Sequence, residues 1–186
     1  MTSQLHIDRA ARTVLAGGVI AYPTEAVFGL GCLPQHREAV ERLLAIKQRS
    51  WRKGLPLIGA DLAQLERFAL LPEGPRRREI LASWPGPVTW VLPARPAVPH
   101  WVSGDRTTVA VRLTDHPLAL RLCERLGQAL ISTSANISRR PPLRSLLQVR
   151  RELGRAVDYV LAGPLGGLGK PTVIKDGRTG RVLRPA

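Results

Sequence analysis

The chain reads as a mixed α/β protein, with helices packed on a mixed sheet. Three observations carry this reading. Short apolar runs rich in Val, Ile and Leu alternate with segments of helical period. The alternation is irregular, which argues against a doubly wound parallel sheet. Two strand-like runs also flank Asp176-Gly177-Arg178-Thr179-Gly180, in the manner of a hairpin. No internal repeat or long linker interrupts the 186 residues, so a single domain over 1–186 is expected.

Taken in order, residues 4–16 place Leu5, Ile7, Ala11, Val14 and Leu15 at helical spacing, and Gly17-Gly18 ends that helix. Val19 to Tyr22 is a short strand stopped by Pro23, and the Gly-containing stretch to Gly31 is expected to be a loop. Residues 36–48 form a second helix, with Val40, Leu43, Leu44 and Lys47 on one face. Leu55 to Ile58 is a buried strand, and Asp61 caps a helix bearing Leu62, Leu65 and Phe68. A helix near 75–83 is stopped by Pro85-Gly86-Pro87, and Val88 to Leu92 is a strand. The Pro-rich segment 93–106 is expected to be a loop. In the strand from Thr107 to Leu113, Val109, Val111 and Leu113 point one way, while Thr108 and Arg112 point the other. Asp115 is expected to cap a helix from Pro117 to Leu126. Ala129 to Thr133 is a strand running into Ser134-Ala135-Asn136, residues 141–153 form a basic helix, and Val157 to Leu161 is a strand. Thr172 to Lys175 and Arg181 to Arg184 make the hairpin.

The 44% hydrophobic content supports a core, and with aromatics at 4% that core is aliphatic. No apolar run is long enough to cross a bilayer, and the N-terminal stretch lacks the apolar segment of a secretion signal. A soluble, cytoplasmic protein with no membrane partner is expected. Cys32 and Cys123 have no metal-ligand spacing, and the four histidines are scattered, so no metal site built from protein groups alone is expected. The net charge of +14 favours anionic partners such as nucleotides or RNA. Against that, most of the basic residues are Arg, which suits a solvated surface. Only four are Lys, and two of these, Lys47 and Lys53, fall beside Arg49 and Arg52.

Several motifs fail on inspection. Gly163 to Lys170 looks like a phosphate loop, but residues 164 and 171 are Pro and the Gly-Lys-Ser/Thr pattern is missing. Gly29-Leu30-Gly31 is no dinucleotide fingerprint, because Pro34 stands where it needs Gly. There is no Ser/His/Asp elbow and no obvious carboxylate pair. The chain therefore reads as an enzyme that aligns its reactants, or as a binding module. Lys47, Arg49 and Lys53 supply charge for a phosphorylated nucleotide, and Ser134 and Asn136 supply short polar groups at a strand end. On spacing alone the first set also suits a solvated helix terminus and the second an ordinary turn.

Read together, these windows resemble the YrdC/TsaC family, the threonylcarbamoyl-AMP synthases, in its short single-domain form. The resemblance rests on Gly17 to Glu25 with Phe28 to Gly31, on Lys47-Gln48-Arg49 and Lys53 to Ile58, and on Trp84 to Thr89. Val109 to Arg112, Ser132 to Asn136, Thr172 to Asp176 and Val182 to Arg184 complete the ordered set. It covers nearly the whole chain.

The resemblance implies a twisted mixed sheet flanked by helices and curved around a large, basic, concave cleft. It implies a nucleotidyltransferase that joins L-threonine, bicarbonate and ATP into threonylcarbamoyl-AMP and pyrophosphate, for threonylcarbamoyladenosine modification of tRNA. Mg2+ would accompany ATP, held mainly by its phosphates. Lys47, Arg49 and Lys53 would be the catalytic, triphosphate-neutralising groups, with Thr108, Ser134, Asn136 and Arg184 completing the ATP site. Thr24, Arg112, Ser134 and Thr172 would surround threonine and bicarbonate, with Arg112 pairing bidentately with a carboxylate. Proteins of threonylcarbamoyl transfer, and tRNA itself, are further candidate partners. Two other functions are weighed: a non-catalytic module for structured RNA, and carbamoyl transfer through a carbamoyl-adenylate, whose proteins carry extra segments not found in this sequence.

Overall fold

A computed structural model describes residues 4–185. The chain builds two sheets. The smaller has the order β7-β2-β1-β8, with β1 at Ile20–Pro23, β2 at Phe28–Gly31, β7 at Thr133–Ser134 and β8 at Tyr159–Val160. The larger has the order β10-β9-β4-β5-β3-β6, with β3 at Leu57–Gly59, β4 at Val88–Pro93, β5 at Thr108–Leu113, β6 at Leu130–Ile131, β9 at Val173–Asp176 and β10 at Val182–Arg184. Both sheets are mixed: β1 runs parallel to β8 and antiparallel to β2, and β3 runs parallel to β5 and antiparallel to β6. The expected α/β class with a mixed sheet holds.

The helices are α1 (Gln4–Leu15), α2 (Arg37–Lys47), α3 (Leu62–Glu66), α4 (Gly74–Ala82), α5 (His100–Ser103), α6 (Pro117–Leu126) and α7 (Leu146–Leu153). Helices α1 and α6 bury Ile7, Val14, Leu122 and Leu126 in one cluster, with Ile20 and Ile58 from the two sheets. A larger aliphatic core holds Leu43, Leu57, Trp90, Val111 and Val149. No helix among the described residues is long and apolar enough to cross a membrane.

Five local expectations need correction. The stretch after Pro23 is a loop only as far as Val27, because Phe28–Gly31 pairs antiparallel with β1. The single strand expected over 129–133 is divided at Ser132, so that β6 joins the larger sheet and β7 the smaller. His116, not Asp115, caps α6, with its ring accepting from the amide of Ala119. The basic helix begins at Leu146, where Ser145 and Gln148 form a capping box. The Pro-rich segment also contains α5, which docks against the 51–53 turn.

Candidate functional site

The crossing at Ser132 puts the ends of both sheets around one cleft of about 650 Å3. Its wall takes Thr24, Glu25, Gly29 and Ser134 from the smaller sheet and its turn. The larger sheet supplies Thr108, Arg112, Thr172 and Arg184, and the 49–54 loop supplies Arg49 and Lys53. Alternation along β5 does what the sequence implies: Val109, Val111 and Leu113 are buried in the core, while Thr108, Ala110 and Arg112 reach the cleft. Eight of the ten predicted site residues line one cavity, and Lys47 and Asn136 do not.

Helix α2 ends at Lys47, and Gln48 takes a left-handed conformation (φ 48°, ψ 50°) that turns the chain away. Lys47 stays on the buried face, at 2% exposure. Its Nζ donates to the carbonyl of Ser134, to the Asn136 carbonyl at 3.1 Å and to Asn136 Oδ1 at 3.0 Å. An ammonium has three donors, and here all three have acceptors. In this arrangement the Lys47 ammonium holds the Ser134–Asn136 turn from behind. Burial, then the Arg49 charge, pushes its ammonium down to about 8. The turn is closed further by Ser134 Oγ donating to Asn136 Oδ1 at 2.7 Å.

Past the left-handed residue, Arg49 swings into the cleft wall and its Nη2 donates to the Gly54 carbonyl at 2.9 Å. Its Nε is buried without a partner. Burial, then the neighbouring Arg106 charge, lowers its pKa. Two guanidinium groups that repel each other in the cleft wall, with no carboxylate beside them among its described lining residues, suit an anion. Lys53 follows on a 3-10 turn (Trp51–Lys53) in which the Arg52 amide donates to the Ser50 hydroxyl at 3.3 Å, and Arg184 reaches back from β10 to the Thr172 carbonyl at 2.7 Å.

The opposite end of the cleft contains a carboxylate. Glu25 and Arg112 form a buried ion pair, and Thr114 Oγ1 donates to the same carboxylate oxygen, Oε1, at 2.7 Å. Desolvation alone would raise the Glu25 pKa, but the Arg112 charge and the bonds from Arg112 and Thr114 outweigh it and hold the group below the ordinary carboxylate value. The Gly-rich segment lies along this turn, with Gly166 N donating to Thr24 O at 3.1 Å and Leu168 N to Glu25 O at 3.0 Å. Glu25 and Arg106 both line the cleft and neither was singled out from sequence. Glu25 is one polar residue in the Pro23-Thr24-Glu25 stretch, and nothing in the spacing around Arg106 marks it.

The sequence and the fold are shared with known proteins. The model of the Sua5/YciO/YrdC family, described as telomere recombination, matches residues 12–186. The chain belongs to that family. A threonylcarbamoyl-AMP synthase of Nitrosococcus oceani is 54% identical over 94% of this chain and 95% of its own length. One of Halorhodospira halophila is 52% identical over 98% and 96%. Among solved structures, P. abyssi Sua5 complexed with L-threonine superposes with a TM-score of 0.87 at 34% identity, covering 96% of this chain and 53% of that longer chain. E. coli YciO superposes with a TM-score of 0.82 at 28% identity, covering 94% and 84%.

Proposed function

We propose that this chain is a threonylcarbamoyl-AMP synthase, condensing L-threonine, bicarbonate and ATP to threonylcarbamoyl-AMP and pyrophosphate. One observation carries the reading. In a chain so close to relatives of that name, a single cleft joins a carboxylate-free cationic end, Arg49, Lys53, Arg106 and Arg184, to a hydroxyl-rich end around Arg112. The first end suits a triphosphate and the second an amino acid. The threonine ammonium would lose a proton to solvent, and the resulting amine would attack carbon dioxide derived from bicarbonate, forming a carbamate and releasing a second proton. A carbamate oxygen would then attack the α-phosphorus of ATP as the bond to the β-phosphate breaks, releasing pyrophosphate. No protein nucleophile is needed: holding the reactants near attack geometry can itself remove roughly 7–11 kcal/mol of barrier. Arg49 and Lys53 would stabilise the charge on the departing pyrophosphate, Lys47 and Asn136 would fix Ser134, and Thr24 and Thr172 would present hydroxyls to the substrate.

The donor set bears on the metal. Among the described residues no group of three or more His, Cys, Asp or Glu side chains could hold one, and the cleft carboxylate is engaged by Arg112 and Thr114. This fits a magnesium ion carried by the phosphates of ATP. When bound there it would offset phosphate charge. The product would serve threonylcarbamoyl transfer to tRNA. Mass-spectrometric detection of a threonylcarbamoyl adenylate from the purified protein, dependent on all three substrates, tests the reading; its absence with a folded, ATP-binding protein would refute it.

A further inference from the structure

We infer that Glu25 is a specificity-determining residue, whose carboxylate receives the ammonium of the amino-acid substrate while Arg112 receives its carboxylate. The inference rests on the synthase reading and deepens it.

The cleft is electrically two-sided. Arg106 and Thr108 stand at one end of β5 and Arg112 near the other. The four-residue step from Thr108 to Arg112 spans about 13 Å of extended chain. The Arg106 end, shared with Arg49, Lys53 and Arg184, has no carboxylate, whereas Glu25 is the one carboxylate in the described wall and is paired with Arg112. A neutral Arg–Glu pair holds a triphosphate poorly, because its fields largely cancel. It matches a zwitterion, whose opposite charges lie as close together as those of the pair. The bonding pattern leaves both partners half-used. Glu25 Oε1 accepts from Arg112 Nη1 and from Thr114, its own backbone amide also supports the carboxylate, and no side chain among the described residues is shown donating to Oε2. Arg112 likewise donates only through Nη1, so its other N–H groups find no protein acceptor among the described residues. Both residues line the cleft at about 5% exposure, so the unused edges look into it and not into solvent at large.

The position is also rigid. The Glu25 backbone carbonyl accepts from Leu168 N at 3.0 Å, and a side chain on Gly166 would meet the Glu25 Cα at 2.9 Å. Thr114 itself accepts the His116 amide at 3.3 Å. The other titratable groups that interact with Glu25 are Tyr22, Cys123 and His116, and His116 is turned toward the Pro164 carbonyl. A carboxylate held this way selects by geometry, and a hydrogen bond to a charged group is the kind that discriminates strongly.

The test compares two ligands that differ only at the amine: L-threonine and the corresponding 2,3-dihydroxybutanoate. Calorimetric affinities are measured with a non-hydrolysable ATP analogue present, for wild type, Glu25→Gln and Thr114→Val. Glu25→Gln is expected to weaken L-threonine about tenfold or more and the hydroxy acid less than about twofold. Thr114→Val, a milder change, is expected to weaken L-threonine by about threefold with the same selectivity; it carries the test if Glu25→Gln does not fold. An equal loss for both ligands, or none for either, overturns the inference, because a merely structural role would treat them alike. A wild-type protein that binds the ATP analogue but neither small ligand would instead contradict the synthase reading.

Discussion

Lys47 and Asn136, 89 positions apart in the chain, meet through two hydrogen bonds, from Nζ to the Asn136 carbonyl at 3.1 Å and to Oδ1 at 3.0 Å. This contact ties the end of α2 to the strand end that presents Ser134. Replacing Lys47 with Met removes three donors from buried acceptors. The expected cost is about 2–4 kcal/mol of stability, read from urea unfolding, together with lost turnover. Unchanged stability would contradict the structural role.

Arg49 is expected to act on the nucleotide alone. Arg49→Gln should raise the ATP requirement about tenfold or more, the worth of a charge-assisted bond, while L-threonine affinity stays within about twofold. Separate titrations of the two substrates check this.

Gly104 holds the 102–104 segment against the 52–54 loop. Its φ is +70°, and an added Cβ would lie 2.4 Å from the Arg52 carbonyl and 2.7 Å from Gly54 N. Gly104→Ala is therefore expected to lose about 1–3 kcal/mol through strain and clash, and to weaken ATP binding by displacing Lys53. Thermal unfolding and an ATP titration measure both.

His116 gives the fold a sensitivity to mild acid. Its ring accepts the Ala119 amide through Nδ1 at 3.4 Å and faces the Pro164 carbonyl through Nε2 at 3.1 Å, so the neutral Nε2–H tautomer is the one that fits. Burial lowers its pKa, against the opposing pull of the Pro164 bond and of Glu25. The unfolded chain therefore takes up the proton first as pH falls. The His116 contribution is complete above the ordinary value of about 6.5 and is lost progressively below it. His116→Asn, which keeps a capping side chain, should flatten that part of the stability–pH curve.

Much of this was legible in the sequence where local chemistry decides. The Asp61 cap, the alternation of β5 and the hairpin around Gly177 depend on neighbours in sequence, and each is found. The position of Lys47 was half legible: the helical period that groups it with Val40, Leu43 and Leu44 already says that its stem is buried. Only the tertiary contact with Ser134 and Asn136 shows where its charge goes. The division of the 129–133 strand between two sheets depends on which backbones accept its amides, Cys32 O for Ile131 and Pro56 O for Ser132. Glu25 was invisible for the same reason, since its partners Arg112 and Thr114 lie 87 and 89 positions away.

The central claim is that one cleft binds ATP and L-threonine and joins them through a carbamate. The most direct measurement is pyrophosphate release from ATP and magnesium, with L-threonine and bicarbonate each supplied or withheld, in wild type and in Arg49→Gln. The account predicts release only when both are present, and sharply reduced release in the variant at limiting ATP. Release that ignores L-threonine or bicarbonate would contradict the carbamate route. No release from a folded protein that binds structured RNA tightly would contradict the synthase assignment altogether.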